Sequence, residues 1–289
     1  MGRVIPSAIL CAAAVVFAVV QAPAQQDHPA SGSGGAVSSL FAQSAARMLD
    51  REFSSPDISF LLLDAHTGAS LASRWPDAEE PIPLGSLVKP FTALAYARSH
   101  SYRYPVYVCH GSAGGCWQPR PHGRLNITSA LAFSCNSYFR DLSSRLTAAQ
   151  MRDVAEQFGL DPPAPGLPGA ALMGLGDGWT IAPLRMARAY LELVRRADEP
   201  GVREILAGLA DSAEWGTGSA VGHALPHLPA LVKTGTAPCR HPHRAPADGF
   251  AIALVPAEQP QLLLMVRVHG VAGSRAARTA GRMLALLER

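Results

Sequence analysis

The chain predicts an α/β (α+β) fold: an antiparallel sheet built from both chain ends and flanked by terminal helices, with an all-helical lobe inserted between them. Three observations carry this expectation. Strand-like apolar runs stand toward the two ends, at 58–64 and 70–73 on one side and at 230–232, 249–255 and 261–268 on the other. Helical patterning dominates the middle, from 128 to 207. A hydrophobic share of 48% beside a charged share of only 16% belongs to a chain with a large buried core, not to a disordered one. A sheet assembled from both ends buries its faces against the terminal helices and the inserted lobe.

Taken in order, Arg3, the apolar run 5–20 and Ala22-Pro23-Ala24 read as a secretory signal peptide over 1–24 with an A-x-A cleavage site. Export to the periplasm or another extracytoplasmic space follows, and an uncleaved N-terminal anchor is the alternative. Residues 25–35, rich in Gly, Ser, Ala and Gln, form a flexible leader, and 36–289 the folded domain. Over 37–53, Leu40, Phe41, Ala45, Met48 and Leu49 recur at helical spacing. A buried strand at 58–64 then turns at Thr67-Gly68 into a partner strand at 70–73. The helical middle is interrupted at 161–166, where three prolines and a glycine crowd together. Glu258-Gln259-Pro260 turns the chain between the last two strands, and a closing helix spans 274–287.

The chemistry centres on Pro83-Leu84-Gly85-Ser86-Leu87-Val88-Lys89-Pro90, at the mouth of an apolar helical run. Ser86 and Lys89 lie about one helical turn apart on one face. A hydroxyl is a poor nucleophile until a neighbouring amine that can lose its proton takes its own. Among 25 Lys and Arg residues only Lys89 and Lys233 are lysines. The chain uses Arg wherever a fixed positive charge suffices, so each Lys marks a place where a compact, deprotonatable amine is wanted. Lys233 opens Lys233-Thr234-Gly235-Thr236, and Ser134-Cys135-Asn136 supplies a third polar cluster inside an apolar helical stretch.

In this order the three clusters resemble the S-x-x-K, S-x-N and K-T-G motifs of penicillin-binding proteins and serine β-lactamases. Further segments are similar to the transpeptidase domain of class B penicillin-binding proteins: 63–68 before the nucleophile, 108–128 before the second motif, and Gly174-Leu175-Gly176 with 180–187. The resemblance spans about 59–268. It implies that Ser86 attacks a D-alanyl-D-alanine carbonyl and that Lys89 takes its proton. Ser134 relays a proton to the leaving amine, and Asn136 orients the substrate amide. Lys233, Thr234 and Thr236 receive a carboxylate, and Gly235 leaves room for ligand along the strand edge. The N–H groups of Ser86 and Thr236 form the oxyanion hole. Peptidoglycan stem peptides, β-lactams as covalent ligands and other cell-wall proteins are the implied partners. The class B relatives carry a long N-terminal pedestal, and its lack here points to an accessory enzyme.

Two rivals stand beside this reading. A serine β-lactamase needs water activated against the acyl-enzyme, and Glu156, in a helical run, is a poor match for that role. A non-catalytic β-lactam sensor or cell-wall binding module needs no nucleophile, base and relay together. The net charge of +3, with no basic stripe interleaved with aromatics, leaves no footprint for nucleic acid.

Four cysteines follow the leader, and an exported chain meets an oxidising compartment. Cys109 and Cys116 bracket a Gly/Ser-rich loop and read as a small disulfide. Cys135 reads as a small buried hydrophobe without a catalytic role. Trp117 and His122 read as loop filling, and 215–220 as a turn shaping the cleft wall. Cys239-Arg240-His241-Pro242-His243 has metal-ligand residue types two apart, but reads as a Pro-rich loop; no metal or cofactor is expected.

Overall fold

The computed structural model describes residues 1–2, 33–240 and 245–288. The expected signal peptide and most of the leader, with His241 and His243, lie outside the described residues. Among the described residues no helix is long and apolar enough to cross a membrane.

The chain opens with α1 (Ser33–Glu52), which takes in the last residues expected to be leader, and runs into β1 (Ile58–Asp64) and β2 (Ser70–Arg74). A two-residue β3 (Ile82–Pro83) leads to a 3₁₀ turn, Gly85–Val88, that continues directly as α2 (Lys89–Ser99). After β4 (Tyr107–Cys109) and β5 (Gly123–Leu125) come α3 (Ile127–Ala132), α4 (Asn136–Ser143), α5 (Ala148–Gln157) and α6 (Gly169–Leu172). The middle ends with β6 (Thr180–Ile181), α7 (Pro183–Arg195), α8 (Val202–Glu214) and α9 (Ser219–Ala224). The last strands are β7 (Leu231–Ala237), β8 (Asp248–Val255) and β9 (Leu262–His269), and α10 (Gly273–Leu287) closes the chain.

The main sheet has the order β2-β1-β9-β8-β7, antiparallel throughout, so both chain ends build it as expected. Its three central strands, β1, β9 and β8, read as near-continuous apolar runs because both faces are covered there. Leu61, Leu63, Phe250 and Ile252 pack toward the helical lobe, while Phe60, Leu62, Ala251 and Ala253 pack with residues of α1 and α10 such as Leu49, Ala277 and Met283. This alternation fixes the register, since a one-residue slip would exchange every side chain between the two layers. It also fixes which residues of β7 can face the lobe.

Two small pairings, β3 with β6 and β4 with β5, were not expected from the sequence. Strands of two and three residues are too short to express an alternation. The β7 strand runs well beyond the apolar stretch 230–232, through the whole Lys233–Thr236 motif. There the ladder to β8 decides the conformation, and hydrophobicity does not.

Candidate active site

Ser86 sits half-buried in the 3₁₀ turn, three residues before Lys89, where side chains at i and i+3 eclipse. The turn is held against the sheet by two close backbone approaches. Gly85 has φ +58°, and a Cβ there would lie 2.2 Å from the Thr236 carbonyl oxygen. Gly174, of the G-x-G segment, has φ +83°, and its Cβ would come 2.1 Å from the Gly85 carbonyl oxygen. Both places therefore require glycine. The result is that the segment carrying the Ser86 N–H and the strand carrying the Thr236 N–H lie against each other.

Gly235 corrects one expectation. A Cβ there would meet the Leu84 carbonyl oxygen at 2.5 Å and Leu87 Cγ at 3.0 Å. Its missing side chain makes room for the Ser86 turn, and not for ligand along the strand edge.

Ser134 lies between α3 and α4 with φ +50°, the left-handed region that non-glycine residues rarely occupy. Its N–H bonds to the Leu131 carbonyl at 3.0 Å, and the next N–H, of Cys135, to the Ala130 carbonyl at 2.9 Å. The tight turn aims the Ser134 hydroxyl at two lysines. Lys233 Nζ donates to Ser134 Oγ at 2.9 Å and to the Thr234 carbonyl at 2.8 Å. Lys89 Nζ stands 3.4 Å from the same Oγ and donates to the Ser134 carbonyl at 2.8 Å and to Asn136 Oδ1 at 2.7 Å.

Both lysines are fully buried. Burial pushes Lys89 down to about 7, although the Cys135 and Cys116 sulfurs act in the opposite sense. Burial and the neighbouring Lys89 hold Lys233 well below the usual lysine range. Strained backbone, a hydroxyl shared by two amines and the depressed pKa of both amines in one place are the marks of a functional site.

In front of the two lysines lies a cleft of about 290 Å³ between the sheet edge and the lobe, with Ser86, Ser134, Asn136, Thr234, Gly235 and Thr236 in its wall. The cleft wall holds every residue expected at the site except the two lysines, which stand behind it on the Ser134 hydroxyl and carbonyl. Sequence reasoning placed Thr217 in a wall-shaping turn but did not foresee that it accepts a hydrogen bond from the Thr234 hydroxyl at 2.7 Å, and it missed Ser274 at the start of α10. The Thr236 hydroxyl accepts from the Gly273 N–H at 2.9 Å, which ties α10 to the same edge. Thr217 reaches the cleft wall, as expected of the turn at 215–220, and Trp117 reaches it too, so that residue does more than fill a loop.

The expected Cys109–Cys116 disulfide is not formed: both thiols are free. Instead Cys109, Cys116, Cys135 and the His122 ring bring their donor atoms within 4.8 Å of one another. Cys109 Sγ and Cys116 Sγ stand 3.5 and 3.6 Å from His122 Nδ1, and Cys116 Sγ stands 3.7 Å from Cys135 Sγ. A tetrahedral zinc ion with bonds of about 2.3 Å to sulfur has S···S edges of about 3.8 Å, and Cys₃His is among its common structural sets. The donors therefore fit one zinc-class ion, with His122 the imidazole that the sequence reading left in a loop.

The surroundings fit as well. The Gly111 N–H donates to Cys109 Sγ at 3.4 Å. Burial raises the Cys109 thiol, but the His122 and Gly111 N–H groups, with the Cys135 and Ser137 side chains, together hold the thiol below its ordinary value. Burial, then Lys89, lower His122 and keep its ring neutral. Burial lifts Cys135 up to about 12, so as a free thiol it stays protonated. Cys135 is the residue between Ser134 and Asn136, so an ion here would grip the second motif from behind.

The penicillin binding protein transpeptidase domain model matches residues 58–285. Among solved structures, the D,D-transpeptidase domain of a peptidoglycan glycosyltransferase from Eggerthella lenta aligns with a TM-score of 0.68 at 18% identity, over 86% of this chain and 81% of that one. Pseudomonas aeruginosa PBP2, in complex with WCK 5153, gives 0.70 at 16% identity over 86% and 73%. The transpeptidase domain of Burkholderia pseudomallei penicillin-binding protein 3 gives 0.62 at 18% identity over 87% and 95%. No curated protein matches this chain in sequence.

Proposed function

The chain belongs to the penicillin-binding protein transpeptidase domain family, and from that premise we propose a serine acyltransferase that acts on D-alanyl-D-alanine stem peptides of peptidoglycan through an ester on Ser86. The observation that carries this reading is the Ser134 hydroxyl, shared by two buried lysines of lowered pKa behind a cleft that Ser86 lines. An amine with a pKa of about 7 is free base in about half the molecules at neutral pH, which is what a general base requires.

In the proposed reaction Ser86 Oγ forms a bond to the penultimate D-alanine carbonyl carbon, and its proton passes to Lys89. The Ser86 and Thr236 N–H groups receive the oxyanion. Collapse breaks the C–N bond, and the leaving D-alanine amine takes a proton by way of Ser134. An amine of a second stem peptide, or water, then attacks the ester and frees Ser86. Lys233, Thr234 and Thr236, with Thr217 behind Thr234, receive the substrate carboxylate.

The same steps open a β-lactam and leave it as an ester. Among the described residues the cleft wall holds no carboxylate to activate water against that ester, and Glu156 is exposed on α5. That favours a long-lived adduct over β-lactamase turnover. The reading includes action outside the cytoplasm, from the N-terminal pattern, and a zinc-class ion on Cys109, Cys116, His122 and Cys135. When bound, such an ion supplies a rigid support for the Ser134 turn and takes no part in the bond changes.

The test is the intact mass of the protein with benzylpenicillin over hours, beside Ser86→Ala. A stable adduct on the unchanged protein alone is expected. An adduct that clears while hydrolysed drug accumulates would make it a β-lactamase, and no adduct at all would leave a binding module. The mature N-terminal residue, read by mass from exported protein, checks cleavage after residue 24.

A further inference from the structure

Cys239, Asp248 and His269 come from three separate places in the chain and meet at one end of the main sheet. Their donor atoms all lie within 4.8 Å of one another. Asp248 opens β8 and His269 ends β9, and the two are paired across the ladder. Ala237, the last residue of β7, pairs with Asp248 on its other side, and Cys239 follows two residues on. Cross-strand partners project to one face, so the carboxylate and the imidazole are side by side by register. This is the face toward the helical lobe, the same one that Lys233 and Phe250 use, since each lies an even number of residues along its strand from a member of this row.

Asp248 Oδ1 stands 2.6 Å from His269 Nδ1, and Cys239 Sγ 3.7 Å from that same nitrogen. Both the aspartate and the histidine side chains are almost fully buried. A hydrogen bond between them accounts for two of the groups. It does not account for a thiol converging on the nitrogen that already faces the carboxylate. Sulfur, nitrogen and oxygen donors gathered within 4.8 Å of one another are a ligand set that suits a borderline-soft cation. Nearby Arg267 directs a guanidinium nitrogen to Ser59 Oγ at 2.8 Å and lies over Trp75 at 4.8 Å. Its charge, beside Asp248 and Cys239, offsets part of the negative charge that a carboxylate and a thiolate would bring.

We propose that Cys239, Asp248 and His269 bind a divalent cation of the zinc class as three of its ligands. Binding replaces the thiol proton, which passes to solvent, with the metal–sulfur bond. The ion ties the exit of β7, three residues beyond Thr236, to β8 and β9. This site is separate from the Cys109, Cys116, His122 and Cys135 cluster, and it does not depend on acyl transfer.

The test strips the purified protein with a chelator and titrates it with cobalt(II) chloride, counting equivalents from the visible absorption. Cys239→Ala is expected to bind one equivalent fewer than the unchanged protein. Cys239→His is expected to keep that equivalent and to lose its share of the sulfur-to-cobalt absorption. Asp248→Asn, which keeps the side-chain volume, serves if Cys239→Ala does not fold, and is expected to weaken that equivalent at least tenfold. An unchanged count in Cys239→Ala, whatever other residues hold the metal, overturns the proposal. A penicillin adduct measured on the same preparation reports separately on the acyltransferase reading.

Discussion

The two walls of the cleft are held in place by different means. On the sheet side, Lys233, Thr234, Gly235 and Thr236 sit inside a seven-residue strand whose ladder to β8 fixes each in turn, from Lys233 opposite Ile252 to Thr236 opposite Gly249. On the lobe side, Ser134 occupies a single left-handed residue between two short helices, with no ladder to fix it. That side is tied by scattered groups: the Thr217 N–H on the Ala132 carbonyl at 3.0 Å, the Asn126 cap of α3, and the thiol–imidazole cluster behind Cys135. The regular wall depends on backbone fit, the irregular one on side-chain chemistry. Substitutions should separate them.

The largest effect is expected where both walls meet, at the Ser134 hydroxyl. Lys89→Met removes the proposed base and should lower the rate of acylation by benzylpenicillin about 10³-fold. In the unchanged protein that rate should climb about tenfold per unit below pH 7 and level above it, as Lys89 becomes free base. Stability carries the same signature with a definite sign. Folded Lys89 has a pKa of about 7, below the value of about 10.4 in an unfolded chain. Between those values the unfolded chain holds a proton that the folded one has released, so stability rises with pH across that window. Lys89→Met should lessen that rise, leaving the part that buried Lys233 contributes. Thermal melts of both proteins at pH 7 and pH 9 check it, and parallel shifts in the two would refute the assignment.

Next comes the sheet wall. Gly235→Ala places a methyl 2.5 Å from the Leu84 carbonyl oxygen, so the Ser86 turn must move. A displacement of about 1 Å costs about 10²-fold in rate. Stopped-flow acylation measures it, with an unchanged rate as the result that would break the account of this wall. The melting temperature should fall as well, since the surroundings on both sides are buried backbone.

Much of this wall was legible in the sequence, and much of the other was not. Strands β1, β8 and β9 announced themselves because hydrophobic runs survive when both sheet faces are covered, whereas β2 was marked by the Thr67-Gly68 turn before it and β7 only by its first apolar residues. The three motifs were legible because only two lysines exist and each stands in one. Order along the chain, however, does not say which side of Gly235 is crowded; that depends on Leu84, a residue about 150 positions earlier. The thiol cluster failed for a related reason. Cys109 and Cys116 are close in sequence, which suggests each other as partners, while the donors that complete the set, His122 and Cys135, are spread over a hairpin and a helix start. Compartment and spacing favour a disulfide, and only the packing reveals four convergent donors.

That cluster gives the third prediction, on the lobe wall. Stripping metal, or Cys116→Ser, should slow acylation 10- to 100-fold, the usual cost of losing support around a metal-held element. Re-adding zinc should restore the stripped protein and not the variant. Gly235→Ala should show the same fractional loss on stripping, because its defect lies on the other wall. If chelation leaves rate and melting temperature unchanged, the lobe wall is held without an ion.

The smallest effect is expected from Asn126→Ala. Its Oδ1 accepts from the Ser129 N–H at 2.9 Å, and the Ser129 hydroxyl in turn meets the Asn126 N–H at 3.1 Å, a reciprocal cap on a helix of only six residues. Losing such a cap costs about 1 kcal/mol, which for a domain of this size lowers the melting temperature by about 2–4 °C. The acylation rate should stay within about twofold as long as the thiol cluster still grips Cys135 from the other end of the turn. Combined with Cys116→Ser, the same cap loss should cost more than the two single effects together, because α3 and Cys135 support the one left-handed residue between them. A strictly additive pair would mean that the Ser134 turn holds its shape alone, and that the two walls differ less than their hydrogen bonds suggest.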